Sequence, residues 1–181
     1  MGCLSLSHLN NFAKGKIFVE TGSFQGWTLH RAKNFGFSEI YGIELHPKWA
    51  AHCKEQFKDD NTIKILEGES PDILTQFCPT LLDRTTFWLD AHDSGPDLPG
   101  GKYGRCPLIE ELRAISLSPI KNHVLMIDDI RLLNTHNFDF LQMEQLMEAI
   151  YAINPDYNIT YTDGEEDGTW PNDILIATID N

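Results

Sequence analysis

Long apolar runs are missing from this 181-residue sequence. None approaches the roughly 20 residues that span a bilayer, and the N-terminal segment lacks the apolar centre of a secretory signal peptide. Cysteine is also scarce, with Cys3, Cys53, Cys78 and Cys106 scattered and no CxxC pair. A disulfide framework is therefore not expected, and a reducing compartment is. We predict a cytoplasmic protein with no membrane partner.

Basic residues are in short supply. The sequence has 14 Lys and Arg against 27 Asp and Glu, which gives a formal net charge of −13. Binding to a nucleic-acid backbone or to anionic lipid requires clustered Lys and Arg. Internal repeats and tails of unbroken like charge are absent, so the acidity is dispersed over a folded surface. The charge balance predicts no nucleic-acid partner.

Apolar residues occur in short runs that alternate with amphipathic stretches. Five β-rich runs each end on a carboxylate or a glycine, at residues 17–19, 40–43, 63–66, 87–89 and 124–127. Helix-like segments lie near residues 28–34, 47–57, 71–77, 108–116 and 140–153. Strands that alternate with helices predict βαβ units and a parallel sheet.

The pattern changes near the C-terminus, where residues 157–162 and 173–179 form two strand-like runs with no helix between them. They predict an antiparallel hairpin at one edge of the sheet. We therefore expect one α/β domain over residues 1–181, with a Rossmann-like, doubly wound, mostly parallel seven-stranded sheet and residues 1–14 as an N-terminal helix or arm. The Gly- and Pro-rich segment 93–107 is a candidate mobile lid that carries Lys102, Tyr103 and Arg105; a disordered surface insertion is the alternative.

A glycine-containing loop, ETGSFQG at residues 20–26, follows the first strand and opens a helix. It is not GxGxxG, because Phe24 replaces the second glycine and would crowd a diphosphate, which Glu20 would also repel. The P-loop pattern is absent as well. A ligand with a nucleoside end and a cationic end fits better, and S-adenosylmethionine is such a ligand.

Two later strand ends support a nucleoside ligand. Glu44 lies 22 residues after Gly22, at the spacing expected for a carboxylate that accepts hydrogen bonds from ribose hydroxyls. Glu69 or Ser70 can meet the adenine edge, although Gly68 beside them is equally consistent with a plain turn. A further possibility at every acidic strand end is simple capping of the next helix.

Five segments carry a family resemblance: FVETGSFQG, YGIELHP, ILEGES, FWLDAH and VLMIDDIR, spread over about residues 15–135. In order and spacing they resemble the class I S-adenosylmethionine-dependent methyltransferase family. Glu20, Gly22 and Gly26 match the family's glycine loop, and Phe24 departs from it. The resemblance implies a set of cofactor-binding residues: Glu20, Thr21, Gly22, Ser23, Phe24, Gly26, Glu44, Leu45, Gly68, Glu69, Ser70 and Asp90.

Three aspartates follow strands that are neighbours in a doubly wound sheet: Asp90 after the fourth, and Asp128 and Asp129 after the fifth. Carboxylates this close are unfavourable unless a cation neutralises them, and Mg²⁺ prefers oxygen ligands. The layout is most similar to metal-dependent small-molecule O-methyltransferases, which implies that all three aspartates are metal ligands. The metal-free alternative is that Asp128 caps a helix and Asp129 pairs with Arg131.

His92 is the candidate general base, with Asp90 as the second catalytic residue, because the ordinary pKa of histidine lies near ~6.5. A helix-capping or hydrogen-bonded loop histidine is an equal alternative. Trp170 is a candidate for the substrate pocket, whereas the other tryptophans are expected in the core. Glu110 and Glu111 are expected on a solvated helix face.

Together these observations predict methyl transfer from S-adenosylmethionine to a hydroxyl of a small polar acceptor, such as a sugar, with a divalent metal. A partner chain in a homodimer, or the segment 93–107, would complete the pocket if the acceptor is not small. Two alternatives stay open. One is a non-catalytic cofactor-binding module of the same fold, and the other is a Mg-dependent nucleotide-sugar or phosphoryl-transfer enzyme.

Overall fold

A computed structural model describes residues 4–92, 95, 100–164 and 170–179. Its strands are β1 (Ile17–Thr21), β2 (Glu39–Glu44), β3 (Ile63–Glu67), β4 (Thr85–Leu89), β5 (Val124–Ile127), β6 (Asn158–Gly164) and β7 (Trp170–Thr178). Its α-helices are α1 (Leu6–Phe12), α2 (Trp27–Phe35), α3 (Pro47–Gln56), α4 (Ser70–Phe77), α5 (Leu108–Ile115) and α6 (Met143–Ile153), with single 3₁₀ turns at Cys78–Thr80, Ile130–Leu132 and His136–Phe138.

The strands form one seven-stranded sheet in the order β3-β2-β1-β4-β5-β7-β6. The pairs among β1 to β5 are parallel, whereas β7 pairs antiparallel with both β5 and β6. The predicted fold class, including the C-terminal hairpin, is confirmed. The turn of this hairpin, residues 165–169, lies outside the described residues.

Both faces of the central strands are buried, which explains why these strands read as continuous apolar runs. Successive side chains point to opposite faces, so Ile17 and Val19 join one core and Phe18 joins the other. The first core includes Leu74, Leu112 and Leu146 from α4, α5 and α6. The second includes Leu9, Leu29 and Cys53 from α1, α2 and α3. The helices therefore cover the sheet in two layers, and the strand ends stay accessible at its edge.

The helix ends agree with local signals in the sequence. Helix α2 follows Gly26 and ends at Gly36, both with left-handed backbone, and α3 has Pro47 in its first turn, where the missing N–H is not needed. The predicted start of the last helix near residue 140 is wrong. Helix α6 begins at Met143 because Phe140 has a left-handed φ of 58°, and Gln142 with Gln145 forms a capping box.

Two side-chain expectations are also corrected. Glu111 is 1% exposed rather than solvated, because α5 packs its first turn against α4 and the end of β1. Trp27 is 51% exposed rather than in the core. Cys53, Cys78 and Cys106 are free thiols. Over the part of the chain that the structure describes, no helix is both long and apolar enough to cross a membrane.

Candidate active site

The strand register brings the predicted site residues to one edge of the sheet. Leu89 at the end of β4 pairs with Thr21 on one side and Ile127 on the other. A cavity of about 740 Å³ lies at this edge. It is lined by most of the residues predicted for the site: Glu20, Gly22, Ser23, Phe24, Glu44, Leu45, Gly68, Glu69, Ser70, Asp90, His92, Asp128 and Asp129.

Thr21 and Gly26 are outside the cavity lining and support it from behind. The Thr21 backbone carbonyl accepts a hydrogen bond from the Asp90 N–H at 3.2 Å, which ties the end of β1 to the end of β4. A Cβ on Gly26 would lie 2.8 Å from the Phe57 ring. Both residues therefore shape the cavity through contacts with neighbouring elements and do not face the cavity themselves.

The loop after β1 passes very close to the end of β4. Gly22 has φ 80°, and a Cβ there would lie 2.5 Å from the Asp90 carbonyl oxygen, so a side chain has no room. Phe24 also has a left-handed backbone, with φ 45°, which is rare for a bulky residue. Its ring packs against Trp49 with 4.4 Å between centroids, and its carbonyl accepts a hydrogen bond from the Cys53 thiol. Phe24 thus adopts a left-handed backbone conformation that glycine would adopt without strain.

Glu20 is a buried carboxyl at the end of β1. It is 1% exposed, and among the described residues neither its Oε2 nor the Ser23 hydroxyl has a hydrogen-bond partner. Burial raises the pKa of Glu20 to about 8, although the nearby hydroxyls of Ser23 and Thr28 favour the charged form. Glu20 and Ser23 line the cavity. A ligand with a cationic donor would supply the missing partner.

Glu44 is held by the loops around it. Its two carboxylate oxygens accept backbone N–H groups of Phe24 and His46, each at 2.7 Å. A carboxylate has about four lone-pair sites, so each oxygen keeps acceptor capacity toward the cavity. These hydrogen bonds fix its orientation, as recognition of a ribose diol requires.

The residues after β3 have different partners. Glu69 Oε1 accepts the Lys102 N–H at 2.8 Å, so this carboxylate binds residues 100–107, the C-terminal part of the predicted lid. Ser70 is buried, lines the cavity and donates its hydroxyl hydrogen to Glu111.

Residues 100–107 contact both sides of the cavity. Lys102 Nζ lies 2.6 Å from Asp72 on α4, and the Tyr103 hydroxyl donates to the same carboxylate at 2.6 Å. On the other side, the Arg105 N–H donates to Asp139 at 2.6 Å. Lys102 and Tyr103 are therefore bound to Asp72 through their side chains, and Arg105 is bound to Asp139 through its backbone. Residues 93, 94 and 96–99 lie outside the described residues, so a mobile lid stays a prediction.

His92 lies between two of the predicted acidic residues. Its Nε2 is 2.9 Å from Asp129 Oδ2, and its Nδ1 is 3.6 Å from Asp90 Oδ1. Burial by itself lowers the pKa of His92, but the hydrogen bond and charge of Asp129 outweigh it and the pKa is raised. Burial, together with the charges of Asp128 and Asp129, holds the pKa of Asp90 well above its usual range. His92 is thus hydrogen-bonded to Asp129 and lies next to Asp90, so the charge of each side chain affects the pKa of the others.

Arg131 neutralises the neighbouring carboxylates. Its guanidinium contacts both Asp129 and Asp173 and lies over the Trp170 ring, 4.8 Å from the centroid. Burial by itself raises the pKa of Asp129, but His92 and Arg131 lower it below its usual range. The pairing of Asp129 with Arg131 was the metal-free alternative. Trp170 lines the cavity and is 51% exposed, and its contact with substrate stays a prediction.

The predicted metal ligands are divided between two groups. Asp90 groups with His92 and Asp129, whereas Asp128 groups with Asp129 and Asp173; within each group the ligand atoms lie within 4.8 Å of one another. Arg131 supplies positive charge to the second group. The first offers two carboxylates and an imidazole, a mixed donor set that fits a divalent cation such as Mn²⁺ as well as Mg²⁺.

Sequence reasoning missed several residues at the site. His46 lines the cavity, and Asp173 and Glu111 lie behind it. The motif ELHP contains His46 two positions after Glu44, which is the one local signal that would have indicated it. The others depend on contacts between distant segments.

Solved structures share this fold, although no family model and no curated protein matches the sequence. A Bacillus cereus O-methyltransferase in complex with SAH (S-adenosylhomocysteine) has a TM-score of 0.61 at 13% identity, over 90% of this chain and 74% of that chain. An SAH-bound Podospora anserina methyltransferase has a TM-score of 0.55 at 17% identity, over 91% and 72%. Spermidine synthase from Thermotoga maritima has 0.57 at 13% identity, over 90% and 52%. The chain has the Rossmann-like methyltransferase fold.

Proposed function

We propose that this protein is an S-adenosylmethionine-dependent methyltransferase that methylates a hydroxyl of a small polar acceptor. The observation that carries the proposal is Glu20, a buried carboxyl with an unpartnered oxygen in a cavity of the right fold. A buried acceptor without a donor is costly, and the ammonium group of the ligand's methionine end would supply one. Similar structures that contain SAH support the same ligand.

The other cofactor contacts follow from the cavity lining. None of the described side chains caps the N-terminus of α2, so the N–H groups near Trp27 and Thr28 suit the ligand's carboxylate. Glu44 is oriented for the ribose hydroxyls, and Ser70 lies where the adenine edge is expected. Each end of the ligand thus meets a group of complementary chemistry.

The catalytic proposal rests on Asp90 and His92. Their facing atoms are 3.6 Å apart, so an acceptor oxygen can lie about 2.8 Å from both. Asp129 orients the imidazole through Nε2, and the raised pKa of Asp90 suits a group that takes a proton. Bound S-adenosylmethionine supplies a methyl group on a sulfonium, whose transfer breaks the S–CH₃ bond and forms the O–CH₃ bond. Asp90 and His92 retain the hydroxyl proton between them.

The acceptor region favours a sugar or a similar polyol. Trp170 is half exposed, and the apolar face of a sugar ring can stack on the part of the indole that Arg131 leaves uncovered. The nearby carboxylates can accept hydrogen bonds from the sugar hydroxyl groups. If Asp90, His92 and Asp129 held a divalent cation, the cation would lower the pKa of the reacting hydroxyl, and this would replace proton transfer to Asp90 and His92.

Calorimetric titration with SAH tests the proposed cofactor. We expect micromolar binding by the wild-type protein and at least about tenfold weaker binding by Glu44→Gln, because an amide accepts hydrogen bonds from a diol less well than a carboxylate. Glu39→Gln, at the exposed start of the same strand, is the matched control and should bind as the wild type does.

Absence of SAH binding by the folded wild-type protein would contradict the proposal. A nucleoside diphosphate bound in its place would favour the phosphoryl-transfer alternative. SAH binding without methylation of any hydroxylated acceptor in a broad panel would instead favour the non-catalytic module.

A further inference from the structure

Glu111 is a buried carboxyl directly behind the cavity wall. It lies in the first turn of α5, is 1% exposed and accepts a hydrogen bond from the Ser70 hydroxyl. Burial raises the pKa of Glu111 to about 7, and the hydroxyls of Ser70 and Thr21 partly offset that shift. The carboxyl is thus ionised in mildly alkaline solution, and it belongs to neither the predicted metal ligands nor the catalytic group.

This contact determines what Ser70 can offer to a ligand. A hydroxyl has one hydrogen to donate, and an ionised carboxylate can only accept. Because the Ser70 hydrogen is directed to Glu111, the Ser70 oxygen presents only lone pairs to the cavity. Its neighbour Glu69 accepts a hydrogen bond from the 100–107 segment, which leaves Ser70 as the better placed side chain for a base edge.

We propose that Glu111 is a positioning residue that makes Ser70 selective for a purine with an N–H donor at C6, that is, for the 6-amino group of adenine over a 6-oxo group. The inference rests on the proposed function, since that function supplies the adenosyl ligand. A 6-oxo purine would place an acceptor against an acceptor, which leaves two buried lone pairs facing each other.

The test compares SAH with S-inosylhomocysteine, its 6-oxo analogue, by calorimetry at pH 8.5. We expect the wild-type protein to prefer SAH by about tenfold or more. In Glu111→Leu the Ser70 hydroxyl is free to donate, so S-inosylhomocysteine should bind more tightly than it does to the wild type, with SAH nearly unchanged. Ser70→Ala should also reduce the preference, and Glu110→Leu, the same change one position earlier, should retain it.

The outcomes separate this inference from the proposed function. If the wild-type protein binds no SAH, the proposed function is wrong. If it binds SAH but Glu111→Leu weakens both ligands by the same factor, Glu111 is only structural and this inference is overturned. A loss of preference in Ser70→Ala without any gain for the 6-oxo ligand in Glu111→Leu would likewise overturn the role of Glu111.

Discussion

At the scale of single residues, Glu20 shows how a site can oppose stability. Its pKa in the folded protein is about 8, above the ordinary 4.5. A carboxyl with a raised pKa disfavours the folded state once it must ionise, so its cost begins above pH 4.5 and grows until about pH 8. A cationic ligand that pairs with the carboxylate would offset this loss of folding stability. Glu20 is therefore better explained by ligand binding than by folding.

Replacement of Glu20 by glutamine separates these two effects. We expect Glu20→Gln to raise the melting temperature of the ligand-free protein by about 5 °C at pH 8.5 and to change it little at pH 5, where the wild-type carboxyl is neutral in the folded state. The same variant should bind SAH at least about tenfold more weakly at pH 8.5. Thermal unfolding at the two pH values and calorimetry measure both effects.

Glu39→Gln serves again as the control, because this carboxyl is exposed. A lower melting temperature of Glu20→Gln at pH 8.5, with SAH affinity intact, would show that the buried carboxyl stabilises the fold instead.

At the scale of elements, the ends of β4 and β5 decide how the acidic residues are shared. The parallel register places Asp90 and Asp128 on adjacent strand ends, as the sequence predicted. The turn after β5 has Asp129 in a left-handed conformation with φ 58°, and the antiparallel strand β7 brings Asp173 to Arg131. The acidic residues therefore divide into two groups rather than one, and protein cations neutralise part of their charge.

Because the acidic residues divide into two groups, we expect Asp90 and Asp128 to contribute differently to metal binding. Titration with Mn²⁺ and Mg²⁺ should show binding that Asp90→Asn weakens at least about tenfold and Asp128→Asn leaves nearly unchanged, because only Asp90 belongs to the group with the imidazole.

If Asp90→Asn and Asp128→Asn weaken cation binding equally, the three aspartates act as one ligand set. If the wild-type protein binds neither cation, the metal prediction is wrong, and Asp90 with His92 must act without one.

At the scale of the whole molecule, the net charge of −13 favours a small acceptor over a polyanionic one. Six carboxyl-bearing residues line the cavity: Glu20, Glu44, Glu69, Asp90, Asp128 and Asp129. Arg105 and Arg131 are the arginines of the lining. Such a surface repels a phosphate backbone. The homodimer and the cytoplasmic location stay predictions.

We expect no detectable binding of single-stranded or double-stranded RNA in gel-shift measurements at about 50 mM salt, where backbone binding is strongest. SAH binding in the same buffer would show that the protein is folded. RNA binding that weakens steeply with added salt would contradict the assignment of a small acceptor.

The sequence by itself determined the order of the elements and the edge of the sheet at which the cavity lies. Periodicity, glycine positions and the carboxylate after each strand are local properties, and parallel strands necessarily bring their carboxyl ends to one edge. The position of Glu20 and Glu44 at this edge was therefore predictable without coordinates.

Only the tertiary structure decided which polar groups share partners. Ser70 and Glu111 are 41 positions apart in the chain, and Arg131 and Asp173 are 42 apart. No local pattern indicates such pairs, because their energy comes from burial between packed elements, where an unpaired polar group is too costly to leave. For the same reason Glu111, which reads as a solvated helix residue, becomes a buried part of the cavity wall.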